Sequence, residues 1–147
     1  MECFTKYFTK ATVYGIDIND RIPDQIKSNP RIQFTHGDAL KYDILDKFPF
    51  RFDIIVEDAS HTLQDQIQHF IDFGHKVNHG GLYVIEDVHQ DNMERLISAT
   101  QRLYKRYRFR HDVDDIGSYG FHSMEVVDLR PIKNRFDDIM LIFKKYT

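Results

Sequence analysis

Two segments of this chain share one plan. Phe52-Asp53-Ile54-Ile55-Val56-Glu57-Asp58-Ala59-Ser60-His61 and Leu82-Tyr83-Val84-Ile85-Glu86-Asp87-Val88-His89 each pass from an apolar run into two acids and then a histidine. Short apolar runs rich in β-branched residues read as buried strands. Strands that end in the same chemistry constrain the fold, because a parallel pair presents both of its carboxyl ends at one edge of a sheet. Similar runs occur at Thr12 to Ile16, Ile32 to Thr35, Met124 to Leu129 and Ile139 to Phe143.

Between the two segments, Leu63, Ile67, Phe70 and Ile71 recur at helical spacing, and Thr62 with Asp65 has the form of a capping box. The Gly80-Gly81 pair reads as the end of that connection. A second helix is predicted from Asp91 as N-cap, with Glu94 three residues on, through Met93, Leu96, Ile97, Leu103 and Tyr104 to Tyr107. Met1 to Phe8 reads as the end of a further helix, and His111 to Gly120 as a loop. Alternating strands and helices predict an α/β fold, a Rossmann-like doubly wound sheet that is mostly parallel. Leu129 and Ile139 are joined by only Arg130 to Asp138, too short for a parallel crossover, so the last two strands are expected to form an antiparallel hairpin.

At 147 residues the chain suffices for one hydrophobic core, so a single domain over 1–147 with one active site is expected. A formal charge of −3 offers no general basic surface for a phosphate backbone, and no nucleic-acid partner is expected. The cluster Arg102, Lys105, Arg106, Arg108 and Arg110 reads as a solvated helix face whose cations suit the helix dipole. Cys3 stands alone, which excludes an internal disulfide or a multi-cysteine zinc site and points to the cytoplasm. No run approaches the roughly 20 apolar residues of a membrane span, so no membrane partner is expected.

Ligands of open α/β sheets sit beyond the carboxyl ends of the strands. Asp17, His36-Gly37-Asp38, Glu57-Asp58 and Glu86-Asp87 each follow a predicted strand there. Asp17 is placed either to accept hydrogen bonds from both hydroxyls of a ribose or to cap a helix. Gly37-Asp38 suits the edge of an adenine ring or a simple turn. Asp58 and Asp87 could share a hard divalent cation, Mg²⁺ by ligand type, with His61 taking a proton from a substrate hydroxyl. The alternative is that both aspartates cap helices and His61 fills a first helical turn. His69, His75, His79, His111 and His122 show no such partnership and are assigned to surface or core, as Phe70 and Phe73 are to the core.

The strings "VYGID" at Val13 to Asp17, "HGDA" at His36 to Ala39, "FDIIVEDASH" and "GGLYVIEDVH" resemble the class I S-adenosylmethionine-dependent methyltransferases. Within that class they are most similar to the metal-dependent macrolide-sugar O-methyltransferases and the cephalosporin-hydroxylase-like proteins. The resemblance covers about Lys6 to Lys145. It implies S-adenosylmethionine as cofactor, Asp17 on the ribose, and Gly37, Asp38 and Ala39 bordering the adenine. It implies Asp58 and Asp87 as Mg²⁺ ligands, Glu86 as a further ligand in the hydroxylase-like branch, and His61 as base. The implied reaction is methyl transfer to a hydroxyl of a small molecule, a sugar or a polyketide-like compound. It also implies a first strand and glycine-rich loop upstream, so the chain reads as N-terminally truncated, a fragment of a longer protein. In the family's sheet that strand lies between those at Thr12 and Phe52, which leaves a gap unless these two pair directly. An exposed central strand edge would favour a homo-oligomer. Two other readings stay open: hydroxylase-like chemistry at the same acidic edge, and a non-catalytic module that keeps the fold without holding cofactor.

Overall fold

The computed structural model describes residues 1–106, 120–133 and 138–147. The chain forms two compact units, Met1–Phe48 and Pro49–Thr147.

In the first unit, α1 (Glu2–Tyr7) precedes β1 (Val13–Asp17), α2 (Asp24–Lys27), β2 (Ile32–His36) and α3 (Tyr42–Leu45). β1 and β2 pair in parallel, with Asp17 opposite His36. The sequence reading did not anticipate α2 and α3. Each is a single turn that buries one side chain, Ile26 and Ile44, too little to create a periodic signal. The Arg31 guanidinium donates to the carbonyls of Thr5 at 2.8 Å and Phe8 at 3.1 Å, at the end of α1 where intrahelical donors run out.

The second unit contains β3 (Phe52–Glu57), α4 (Leu63–Phe73), a 3-10 turn at Gly74–Lys76, β4 (Val77–Ile85), α5 (Gln90–Arg106), β5 (Phe121–Asp128), α6 (Arg130–Lys133) and β6 (Ile139–Lys145). Its sheet runs β3-β4-β6-β5. β3 and β4 are parallel, and β6 is antiparallel to both β4 and β5, so the α/β plan carries the expected C-terminal antiparallel hairpin. β1 belongs to the two-stranded sheet of the first unit and β3 to the four-stranded sheet of the second. Alternate residues Tyr83 and Ile85 of β4 and Ile139, Leu141 and Phe143 of β6 are buried on one face. The ring of Phe70, from α4, lies 4.7 Å from that of Phe143, 5.2 Å from Tyr83 and 5.5 Å from Phe121. Burying each such ring stabilises the unit by about 1.5–3 kcal/mol.

Three sequence expectations are corrected. Gly80 and Gly81 do not follow a helix; they lie inside β4, which starts at Val77. Its pairing with β3 shifts register between Phe52 opposite Val77 and Ile54 opposite Leu82. A Cβ on Gly81 would lie 2.6 Å from the Asp53 carbonyl oxygen, so the glycine permits a bulge pressed against β3. Helix α4 instead ends at Phe73, with Gly74 as its C-cap. Asp91 is not an N-cap, since α5 already begins at Gln90; its amide donates to Nδ1 of His89 at 3.3 Å. β5 starts at Phe121 rather than Met124. Tyr107, Arg108, Arg110 and 111–119 of the expected loop lie outside the described residues. Among the described residues, no helix is long and apolar enough to cross a membrane.

Candidate active site

Because β3 and β4 run in parallel with Glu57 opposite Ile85, the chain leaves both strands at the same edge. Asp58 follows β3 directly, and Asp87 is the second residue beyond β4. One ligand atom from each of Asp58, His61 and Asp87 can be chosen so that all lie within 4.8 Å of one another. Asp58 is exposed, whereas His61 and Asp87 are half-buried. Nε2 of His61 is 3.1 Å from Oδ1 of Asp58.

The backbone at this point is unusual. His61 has φ 56° and Asp87 φ 48°, both in the left-handed region. Such a conformation costs a residue with a side chain about 1–2 kcal/mol, and strain of this kind gathers at functional sites. The turn holding His61 is anchored to α4. Thr62 accepts the Asp65 amide on Oγ1 at 3.2 Å as N-cap. The Ser60 hydroxyl donates to the Asp65 carboxylate, which holds that carboxyl below its usual range. Only half of the predicted capping box therefore forms, because Asp65 faces Ser60.

The two carboxylates form an oxygen donor set suited to a hard divalent cation, with the imidazole of His61 beside them. A divalent cation between Asp58 and Asp87 would offset the mutual repulsion of their charges. The residues present thus fit a metal of this kind.

Glu86 is not one of the three grouped residues. Its amide donates to the Glu57 carbonyl at 2.9 Å and its carbonyl accepts from Gln66 Nε2 at 3.2 Å. His89 does not repeat the role of His61, since its ring caps the start of α5. The repeated plan therefore brings two aspartates together but only one of the histidines.

In the first unit, Asp17 is exposed at the end of β1 and accepts the Asn19 amide on Oδ1 at 2.8 Å. Its carbonyl accepts the Gly37 amide at 2.9 Å, which joins the two strand ends. Asp38 accepts the Leu40 amide at 3.0 Å, and Ala39 is half-buried. A Cβ on Gly37 would meet Ile44 Cδ1 at 2.3 Å, so the space this glycine leaves is filled by α3.

The sequence reading missed a buried pair beneath the cluster. Nδ1 of His69 donates to Oε1 of Glu57 at 3.0 Å, with the two residues 4% and 5% exposed. The signal was present: Gln66, His69, Phe70 and Phe73 stand at i, i+3, i+4 and i+7, and all four are buried. Two polar residues on an apolar stripe require partners.

No family model matches the chain. A methyltransferase of the mycinamycin biosynthetic pathway, solved in complex with Mg and SAH, superimposes on 97% of this chain and 39% of its own, with a TM-score of 0.68 at 21% identity. The fibrillarin pre-rRNA processing protein of Methanococcus jannaschii does so over 93% and 57%, with a TM-score of 0.61 at 18% identity. The chain has the class I methyltransferase fold. Its sequence relatives include the mycinamicin VI 2''-O-methyltransferase of Micromonospora griseorubida, 33% identical over 92 residues. They also include the 8-demethyl-8-alpha-L-rhamnosyl tetracenomycin-C 2'-O-methyltransferase of Streptomyces olivaceus, 30% identical over 92 residues. Each match takes in 60% of this chain, but only 22% and 23% of those proteins.

Proposed function

We propose that this chain supplies part of an S-adenosylmethionine-dependent O-methyltransferase that acts on a hydroxyl of a small molecule, a sugar or a polyketide-like compound, with Mg²⁺ at the strand-end cluster. The observation that carries the reading is the convergence of Asp58, His61 and Asp87 beyond paired parallel strands. The Mg and SAH held by the mycinamycin-pathway methyltransferase support it. Asp58 and Asp87 would hold the metal through oxygen, and Glu86 would be the further ligand that the family resemblance implies. When bound, Mg²⁺ makes a ligated hydroxyl more acidic. His61 takes the hydroxyl proton, and Asp58, within hydrogen-bond distance, stabilises the imidazolium that results. The cofactor, when bound, presents the electrophilic methyl carbon. In the first unit, Asp17 is assigned to the ribose hydroxyls, and Gly37, Asp38 and Ala39 to the border of the adenine.

The two units are read as parts of one methyltransferase domain. The lone, exposed Cys3 suits a reducing cytoplasm. β3 pairs only with β4 among the described strands, and its other edge would serve self-association. Calorimetric titration with S-adenosylmethionine, with and without Mg²⁺, tests the reading. Micromolar binding strengthened by Mg²⁺ is expected. A folded chain that binds neither would instead be a non-catalytic module as it stands.

A further inference from the structure

Beneath the strand-end cluster lies a layer of polar side chains that the proposed reaction does not use. Phe70 and Phe73 of α4 fill the core, but Gln66 and His69 share their stripe and are 0% and 4% exposed. Burying an amide and an imidazole is costly unless each finds a partner. Their partners are the two turns that carry the cluster. Gln66 Nε2 donates at 3.2 Å to the carbonyl of Glu86, the residue before Asp87. His69 Nδ1 donates at 3.0 Å to Oε1 of Glu57, the residue before Asp58. The same Oε1 accepts the amide of Ala59, just beyond Asp58, at 3.3 Å. The remaining atoms of this layer, Glu57 Oε2, Gln66 Oε1 and His69 Nε2, are buried and have no hydrogen-bond partner among the described residues. The layer is thus satisfied toward the turns and left unsatisfied elsewhere. For packing alone, apolar side chains of similar shape would serve at lower cost.

We infer that Gln66 and His69, the latter through Glu57, are positioning residues that set Asp58 and Asp87 in place for a divalent cation. The inference rests on the metal reading above. One face of one helix braces the turn after β3 through His69 and the turn after β4 through Gln66. Loss of either bond frees one aspartate to move relative to the other. Carboxylates that repel each other need such support from below if they are to meet a cation in fixed geometry.

Mn²⁺ is the probe, with binding to the 147-residue chain read from the electron paramagnetic resonance of the free ion and folding from circular dichroism melts. Gln66→Leu and His69→Gln are expected to weaken Mn²⁺ binding about ten- to a hundredfold while the melts stay cooperative. His69→Asn puts an amide nitrogen where Nδ1 stands and is expected to keep binding within about threefold of the unaltered chain, by the same second-shell logic. A Gln at position 69 fills the site better but carries its nitrogen out toward the Nε2 position. A packing role therefore predicts the opposite order, with Gln better than Asn. If Gln66→Leu fails to fold, the comparison at position 69 decides. Equal binding by the Asn and Gln variants, or tighter binding by Gln, overturns the inference and leaves the metal reading standing. Absence of Mn²⁺ binding by the unaltered chain overturns both.

Discussion

Asp87→Asn should change the stability of the chain in opposite directions with and without a metal. Ligand atoms of Asp58 and Asp87 lie within 4.8 Å. Two unit charges at that distance repel by about 0.9 kcal/mol in water and about 3.5 kcal/mol at an effective dielectric constant of 20. Asp58 is exposed, so the lower end applies and about 1 kcal/mol is a fair figure. Asparagine tolerates the left-handed backbone at this position, φ 48°, better than most residues, which keeps the substitution from adding strain. Without metal at low salt, the loss of this repulsion should by itself raise the melt of the variant by about 2–4 °C. Mg²⁺ at about a hundred times its Kd should add about 2.7 kcal/mol to the unaltered chain and almost nothing to the variant, so the order of the two melts reverses. High salt should shrink the metal-free difference. Thermal unfolding followed by circular dichroism in the four conditions reads all of this. A variant less stable without metal, or one that gains as much from Mg²⁺ as the unaltered chain, would refute the argument.

Three further outcomes are expected. Because His61 has φ 56°, His61→Gly should be more stable than His61→Ala by about 1 kcal/mol, though both lose the imidazole; equal urea midpoints would show that the turn relaxes at no cost. Gly81→Ala drives a Cβ to 2.6 Å from the Asp53 carbonyl and 3.0 Å from that of Asn78, both backbone, and should cost about 2–4 kcal/mol; an unchanged urea midpoint would mean that β3 and β4 can part there. Burial pushes the Lys145 ammonium, which donates to the Val77 carbonyl at 2.8 Å, down from 10.5 to about 8. The folded chain thus favours the neutral amine, so the penalty is present in full below about pH 8 and fades as pH rises toward 10.5. Stability measured against Lys145→Met should be flat below that window and climb within it; a difference independent of pH would overturn the assignment.

Much of the second unit was legible because local signals and tertiary needs coincide. The run Phe52 to Val56 is apolar over a length that suits one strand, and Thr62 caps α4 with the amide its spacing predicts. The misreadings arise where the deciding partner is remote in sequence. Gly80-Gly81 looks like a helix stop, but the requirement for glycine comes from the Asp53 carbonyl across the ladder. His61 and His89 look equivalent, yet a left-handed turn at His61 brings its ring to Asp58, while the ring of His89 turns to the Asp91 amide at the start of α5. His69 passed as an ordinary core or surface residue because its partner, Glu57, lies on another element. An apolar periodicity count on Leu63, Ile67, Phe70 and Ile71 also misjudges the buried face of α4, which is Gln66, His69, Phe70 and Phe73.

The strand order β3-β4-β6-β5 bears on how the second unit is made. β6 follows in the chain every strand it joins, and it lies between β4 and β5. On a ribosome, β3, β4 and β5 therefore emerge before the strand that links them. Until Ile139–Lys145 is out, β5 has no ladder, and Phe70 and Phe121 lack the Phe143 ring that packs against both. The nascent unit can form its β3-β4 pair and α4 early, but its core closes in one late step, when a single strand slots into a waiting gap. A chaperone or a pause in translation would have its greatest effect in that interval.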